Sequence, residues 1–583
     1  NAFFIDNIPA PDISHFTIPG STGGAIGMLN IALIREVNFF AGGFPSRFGD
    51  RLSAIMDIYL REGNRTRTQA ELGLDMSGFG LVAEGPIADK KGSWLLSARH
   101  SYLDLLSKAF DFDGIIPRYA NYQGKMVFDI SPYSQVSLLG MAGNDRVSYD
   151  REKADKADLD NHGSYDGLLY CGGLNWRQIW RNGAYSNTSL SFSSKRTTLE
   201  NAGYDKDEAV FSRNSERQVN LRNHTNIRFG SSVQMQFGFD LQYALNTLNT
   251  AIPDYYDNWG NHWPEVFFQS RISAGKAGLY SDTSVTPLPR LTITLGGRLD
   301  YFSVSSDLGF SPRTGVSFQA GSNTTLNASL GLYRQTLPLL IINLNKSHKL
   351  PSPSALHYLI GLTQMIDASV RLTVEAYYKD YHRLPLDVDK PGAFFIDEVM
   401  YGGGLFPRSG LAPEGKARSY GLEISLQKKP AGRLFGMICA SFFRSQYRDF
   451  DGRWRNRMFD NRFIFALEGG YRISRGWELN TRWNYAGGTP FTPFDLEASR
   501  ALNSEVLNTS QINAWRNPAI HSLNLRLDRR FYFKSANLII FLDAWNVYSR
   551  KNVAFRYWNT RENEPKIEYQ WGFIPILGVE FSF

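Results

Sequence analysis

Cysteine is almost missing: the 583-residue chain holds two, Cys171 and Cys439. Two thiols so far apart build neither a disulfide framework nor a cysteine metal site, and they leave the compartment open. Long apolar runs are also missing. The longest, LPLLIINL at 337–344, is far below the roughly 18 residues a membrane helix needs. A bilayer span would therefore have to be a closed β-barrel, the other structure that satisfies every backbone group in lipid. No basic stretch followed by an apolar core opens the chain, so no targeting segment is visible and the chain reads as processed or truncated. There is no charge block. Lys and Arg total 63 against 56 Asp and Glu, a net charge of +7, which is mild at this length and excludes nucleic acid as a natural partner.

The motifs of catalysis are absent as well. There is no G-x-S-x-G elbow, no H-E-x-x-H and no phosphate loop with its lysine. GSTGGAIG at 20–27 is not followed by the spaced glycines and acid of a dinucleotide site. The nine histidines are scattered. DKADLDN at 155–161 lacks the glycine and terminal glutamate of a calcium loop and reads as a flexible, self-repelling loop. No enzyme, cofactor or metal centre is expected.

What is present is aromatic and alternating. Aromatic residues make up 14% of the chain, and glycines number 52. In LTITLGGRLDY (291–301), Leu291, Ile293, Leu295, Leu299 and Tyr301 fall on one face. Thr292, Thr294, Arg298 and Asp300 fall on the other. LNLRLD (523–528) and YDGLLYCGGLNWRQIW (165–180) repeat the pattern. A period of two with full charges on the second face fits strands between lipid and a wet lumen. These runs are longer than the strands of soluble sandwiches. Tight connections at 131–134, 181–184, 229–232 and 474–477 alternate with long ones at 103–118, 149–161, 251–263, 334–354, 385–415 and 491–514. That asymmetry belongs to outer-membrane barrels. The expected fold is an all-β membrane protein: a transmembrane antiparallel barrel of about 22 strands, a size at which a lumen is plugged. A fourteen-strand barrel with larger loops stays open. The chain ends on GFIPILGVEFSF, with Leu577, Val579, Phe581 and Phe583 on one face.

Residues 37–58, VNFFAGGFPSRFGDRLSAIMDI, carry two apolar runs around GGFPSRFGDR. Three glycines, a proline and two arginines exceed what a hairpin turn needs. Gly42, Gly43 and Gly49 permit close backbone approach, Pro45 stiffens the loop, and Arg47 and Arg51 offer planar forks for carboxylates. The alternative is that both arginines are solvated turn charges.

This stretch, with FFIDNIPAPDISHF before it, resembles the second half of the plug domain of TonB-dependent outer-membrane receptors, in the style common in Bacteroidetes. The matches are Ile5 to Pro9, Asn30 to Val37 as a short helix and strand, and Gly42 to Ile58. VEAYYKDYHRLPL (374–386), GKARSYGLEISLQKK (415–429), YAGGTPFTP (485–493) and LDAWNVYSRKNV (542–553) resemble barrel signatures of that family, and Phe583 its terminal assembly signal. The resemblance implies a partial plug at 1–65 in the lumen of a barrel at 66–583, in the bacterial outer membrane. It implies import of a scarce ligand, such as a siderophore-like metal chelate or a corrinoid. Implied partners are TonB, the outer-membrane assembly machinery, and surrounding lipid or lipopolysaccharide, with a surface lipoprotein or larger complex as further candidates. It suggests that Arg47 and Arg51 latch the plug to wall carboxylates Glu423 and Glu375. His15 and Phe16 on the plug apex are candidate ligand contacts. So are Tyr255, Tyr256, Trp259 and His262 in the loop AIPDYYDNWGNHW, where a membrane-interface girdle is the competing account. A second reading of the whole chain is a receptor-like barrel serving as a non-transporting structural subunit.

Overall fold

In the computed structural model, the residues described are 2–17, 23–24, 26–75, 78–87, 89–102, 117–156, 159–181, 183–203, 208–346, 349–400 and 406–583. Their dominant feature is one closed antiparallel barrel of 22 strands. Each strand pairs with its neighbour in the chain, from Gln69–Asp75 to Ile574–Ser582. One stave is interrupted: Trp454–Asn456 and Phe463–Ser474 both pair with Leu434–Arg448. The longest strand, Val266–Leu288, has 23 residues.

Closure is made by the chain's two ends. The last strand pairs with the first, Val579 opposite Leu74. Ala70 and Phe583 then exchange both backbone hydrogen bonds at 2.9 Å. The seam therefore ends on the final residue, and no strand edge is left to lipid.

The alternation holds where it was read. In the strand Leu291–Phe302, Leu295 is 63% exposed on the outside while Arg298 is 4% exposed on the inside. Tight turns at 132–133, 230–232, 289–290 and 475–476 mark one end of the barrel. The connections at 253–265, 335–353, 388–410 and 487–519 mark the other. A further long connection, 546–573, folds into the hairpin Val553–Asn559 and Glu564–Tyr569. The expected loop at 103–118 lies largely outside the described residues. Asp155 and Asp160 are not in a free loop: Asp155 meets Arg561 at 2.8 Å, and Asp160 accepts from the Thr560 amide.

The lumen holds the N-terminal segment. Its sheet runs Ile8–Ala10, Ala2–Ile5, Ile55–Leu60, Ile34–Phe40. Ala2–Ile5 and Ile55–Leu60 are parallel, and the other pairs are antiparallel. Asn30 caps the one-turn helix Ile31–Leu33 through the Ala32 amide, as its side-chain acceptor favours. The wall around this sheet is not uniformly wet. Ile5, Ile8, Met28, Leu33, Ile58 and Leu60 pack on inward-facing Val82, Leu95, Leu139, Met141, Leu169 and Cys171. An apolar seam thus holds one flank of the segment.

Candidate functional site

The loop GGFPSRFGDR is gripped by the wall, and the charges run opposite to the expectation. Its backbone carbonyls accept from wall arginines. Arg313 donates to Phe44 and Phe48 at 3.0 Å and to Pro45 at 2.5 Å. Arg298 donates to the Ser46 carbonyl at 3.2 Å and Arg222 to the Arg47 carbonyl at 3.1 Å. Asp282 accepts from the Ser46 amide. Asp240 ties Arg222 and Arg298 together at 2.5 and 2.8 Å. Gly43 stands at φ +60, and a Cβ on Gly49 would lie 2.0 Å from Nε of Arg298. Gly49 is there because a guanidinium group lies against its bare backbone, and Gly43 because its positive φ favours glycine.

The loop's own arginines stay within the lumenal segment. Arg47 pairs with Asp57 at 2.9 Å, and Arg51 bonds the Asp50 carbonyl. Arg47 does not reach Glu423 or Glu375, because Asp57 on the next strand of its own sheet satisfies it first. Glu375 and Glu423 face each other across two barrel strands. The cation on that stretch of wall is Lys379, which donates to the Ala41 carbonyl. Burial raises the Asp57 carboxyl above its usual range, against the pull of Arg47. Asp50 adds a side-chain link from the loop to the wall and the connection beside it: Lys276 lies at 2.6 Å and the Thr336 amide at 2.6 Å. Burial alone would raise Asp50, but Lys276 and Arg51 outweigh it and hold the carboxyl below its usual value.

Above this floor lies a cavity of about 530 Å³. Phe3, Phe4 and Gly49–Ser53 line it from the N-terminal segment. Leu337–Leu339, Ile341 and Phe394–Ile396 line it from the long connections. The run LPLLIINL thus finds its use: Leu339–Leu344 is a short helix, buried throughout, against Ala244, Leu248 and Ala274 of the wall. It meets the helix Phe395–Met400 through Ile341, Phe395 and Val399. The side walls are charged. Seven basic and five acidic side chains line the cavity, so cations exceed anions by two. Arg457, one of the seven, pairs with Asp397 of the roof helix at 2.5 Å.

The loops that carry this roof are tied by buried ions. Lys390 lies 3.6 Å from Glu398 and 3.8 Å from Asp257, and Arg408 lies 2.6 Å from Asp387. Burial pushes the Asp257 carboxyl up, but Lys390 and the Asn261 and Trp259 amides hold it below its usual value.

The aromatic and histidine candidates lie elsewhere. His15 is fully buried, accepting from Asn121 at 3.0 Å and donating to Asp145. Phe16 donates its amide to Asp145 and packs beside Tyr119 and Tyr165. Both anchor the segment to the wall. Tyr255 and Tyr256 pair with Trp263 and His262 in a small hairpin. Asp257 organises its turn by accepting from the Trp259 amide. Tyr255 packs on Phe406, and His262 pairs with Asp254. None of the four aromatic-loop candidates lines the cavity. The cavity-lining Lys276, Arg298 and Asp50 were visible in the sequence only as charges on the polar face of a strand or in a turn.

A 22-strand barrel filled from one end by an N-terminal sheet and roofed at the other by long loops is the architecture of an outer-membrane receptor. The model of the family described as TonB dependent receptor-like, beta-barrel matches residues 101–548, and the chain belongs to that family. Its members are outer-membrane transporters, not enzymes. Among solved structures, the ferripyoverdine receptor of Pseudomonas aeruginosa is similar at a TM-score of 0.74 and 13% identity, over 100% of this chain and 80% of that one. The ferric enterobactin receptor of the same organism gives 0.72 and 13%, over 100% and 91%. The transporter YddB of Escherichia coli gives 0.69 and 13%, over 100% and 90%. No curated protein matches the chain in sequence.

Proposed function

We propose that the chain imports a small anionic ligand, a metal chelate of the siderophore kind or a corrinoid, held between the lumenal segment and the loop helices. The segment acts as the plug, and TonB displaces it to let the ligand pass. The observation that carries this reading is the roofed cavity. Its volume, about 530 Å³, lies in the range of roughly 300–1,000 Å³ typical of small-molecule sites. An excess of cations over anions, set against apolar roof residues, suits an anion with a flat or greasy body. Extended glycans do not fit such a space. The relatives named for ferripyoverdine and ferric enterobactin are consistent with a chelate.

The test is calorimetric titration of the purified chain in detergent with a ferric catecholate, a ferric hydroxamate and cobalamin. Saturable binding of one of them is expected, weakened by Lys276→Ala and by alanine at Arg334, another cation of the cavity wall. Absence of binding by all three, together with a barrel that never opens to TonB, would favour the non-transporting subunit of a larger outer-membrane complex.

A further inference from the structure

The roof of the cavity is tied together behind its lining, where three long connections meet. Leu507 of 487–519 donates its amide to the Asn258 carbonyl of 253–265 at 2.9 Å. Lys390 of 388–410 is 3% exposed and donates to the Asn258 side chain at 2.5 Å. It also lies 3.8 Å from Asp257 and 3.6 Å from Glu398. Glu398 belongs to the roof helix Phe395–Met400, whose Phe395, Ile396 and Val399 line the cavity. One ammonium thus joins a cavity-lining helix to the neighbouring connection.

A third carboxyl faces that ammonium from 487–519. Glu505 is partly buried, and Lys390 is the charged group that acts on it. The Glu505 carboxyl has no hydrogen bond or ion pair among the described residues. The three donors of Lys390 are matched by Asn258, Asp257 and Glu398, so none is left over. The turn that carries Glu505 is pinned. The Ser499 hydroxyl donates to the Val506 carbonyl and accepts from its amide, both at 3.1 Å, and the Asp495 amide donates to that carbonyl at 2.8 Å. The other charges on the elements packed here are engaged. Arg408 pairs with Asp387 and Glu398, Asp389 accepts from Ser409, and Asp495 caps the helix Leu496–Leu502. On the adjoining 546–573 connection, Arg561 pairs with Asp155 and Lys566 with Glu562. His262 pairs with Asp254 at the exposed end of its hairpin.

Burial pushes the Glu505 carboxyl up from the ordinary 4.5 to about 7, against the pull of Lys390. A carboxyl raised in the closed roof favours closure when it holds its proton. That contribution is complete below 4.5 and is lost as pH rises through about 7. Loss of the proton sets a third carboxylate against an ammonium already shared by two.

We propose that Lys390, Asp257, Glu398 and Glu505 form a proton-responsive latch of the roof. With Glu505 protonated, the three connections stay together over the cavity; with Glu505 ionised, 487–519 parts from the other two. The latch works whatever ligand the cavity takes. The test is a spin-label distance between the exposed Glu265→Cys and Thr509→Cys, on the full chain in nanodiscs with Cys171→Ala and Cys439→Ser. Between about pH 4.5 and about pH 8, the ratio of the short distance to a longer one should fall about ten-fold or more, since each unit of raised value is worth a factor of ten. Glu505→Gln, neutral at every pH, should keep the short distance throughout. Glu497→Gln, an exposed acid on the same connection, and His262→Gln should both keep the wild-type transition. If the Glu505 variant does not insert, the wild-type titration beside His262→Gln carries the test. A wild-type distance that ignores pH, a transition that survives Glu505→Gln, or one abolished by His262→Gln overturns the proposal.

Discussion

Arg217 and Arg222 stand on one strand and meet opposite surroundings. Arg222 points into the lumen, is 6% exposed, and spends its donors on Asp240 and on carbonyls of Asn7 and Arg47. Arg217 points outward between Ser194 and Leu245 and pairs with no acid among the described residues. The residue type is the same, and only the parity differs. Inside, an arginine is a clamp for backbone; outside, it is an open cation at the edge of lipid. The lesson is that charge in a barrel strand has no meaning until the face is known.

The contrast can be broken most severely at its inner end. Arg313 serves three carbonyls of one loop. Replacing it by alanine strands those acceptors in a buried space and should cost about 3 kcal/mol or more, since hydrogen bonds to charged groups contribute about 1.5–3 kcal/mol each. Ion leakage through planar bilayers should rise clearly above wild type; unchanged conductance would mean that the apolar seam alone holds the segment. At the outer face, Leu295→Arg should cost about 2–4 kcal/mol near the bilayer midplane, read as a lowered denaturant midpoint in a lipid refolding assay. Arg at the inward Thr294 should be nearly neutral, and equal costs at both positions would refute the assignment of faces.

Gly49→Ala is the next step down. Its Cβ would collide with Arg298 at 2.0 Å, so either the loop or the guanidinium must shift, at about 1–3 kcal/mol for an overpacked site. Leakage should rise, and an added Arg298→Ala should relieve part of it. Arg47→Ala should have a smaller effect, about 1 kcal/mol, for a partly exposed pair. A double-mutant cycle should show coupling with Asp57→Ala and none with Glu423→Ala; the reverse result would restore the pairing expected from the family pattern.

The smallest effect concerns pH. Asp50 has its carboxyl held below the usual value by Lys276 and Arg51 despite burial. A depressed folded value means the stabilisation is complete above the unfolded value, about pH 3.9, and is lost as pH falls through the folded value. Leakage should therefore increase only in strong acid, and Asp50→Asn should leak at neutral pH as wild type does in acid. If the variant keeps an acid-dependent leak of full size, another group is responsible.

Much of the architecture could be read from residue order alone. A period of two needs no partner to be recognised, and it placed Leu295 and Arg298 on opposite faces. The alternation of tight and long connections located the two ends of the barrel. The terminal aromatic strand marked the seam. GGFPSRFGDR announced a constrained loop, because glycine and proline in such density act through local backbone geometry. Partners are another matter. That Arg47 meets Asp57 rather than Glu423, that His15 is buried on Asp145, and that LPLLIINL forms a roof helix against the wall depend on contacts between residues 10, 130 and 97 positions apart. Periodicity is a property of neighbours in sequence, so the sequence could specify faces. Pairing is a property of neighbours in space, and only the closed barrel decided it.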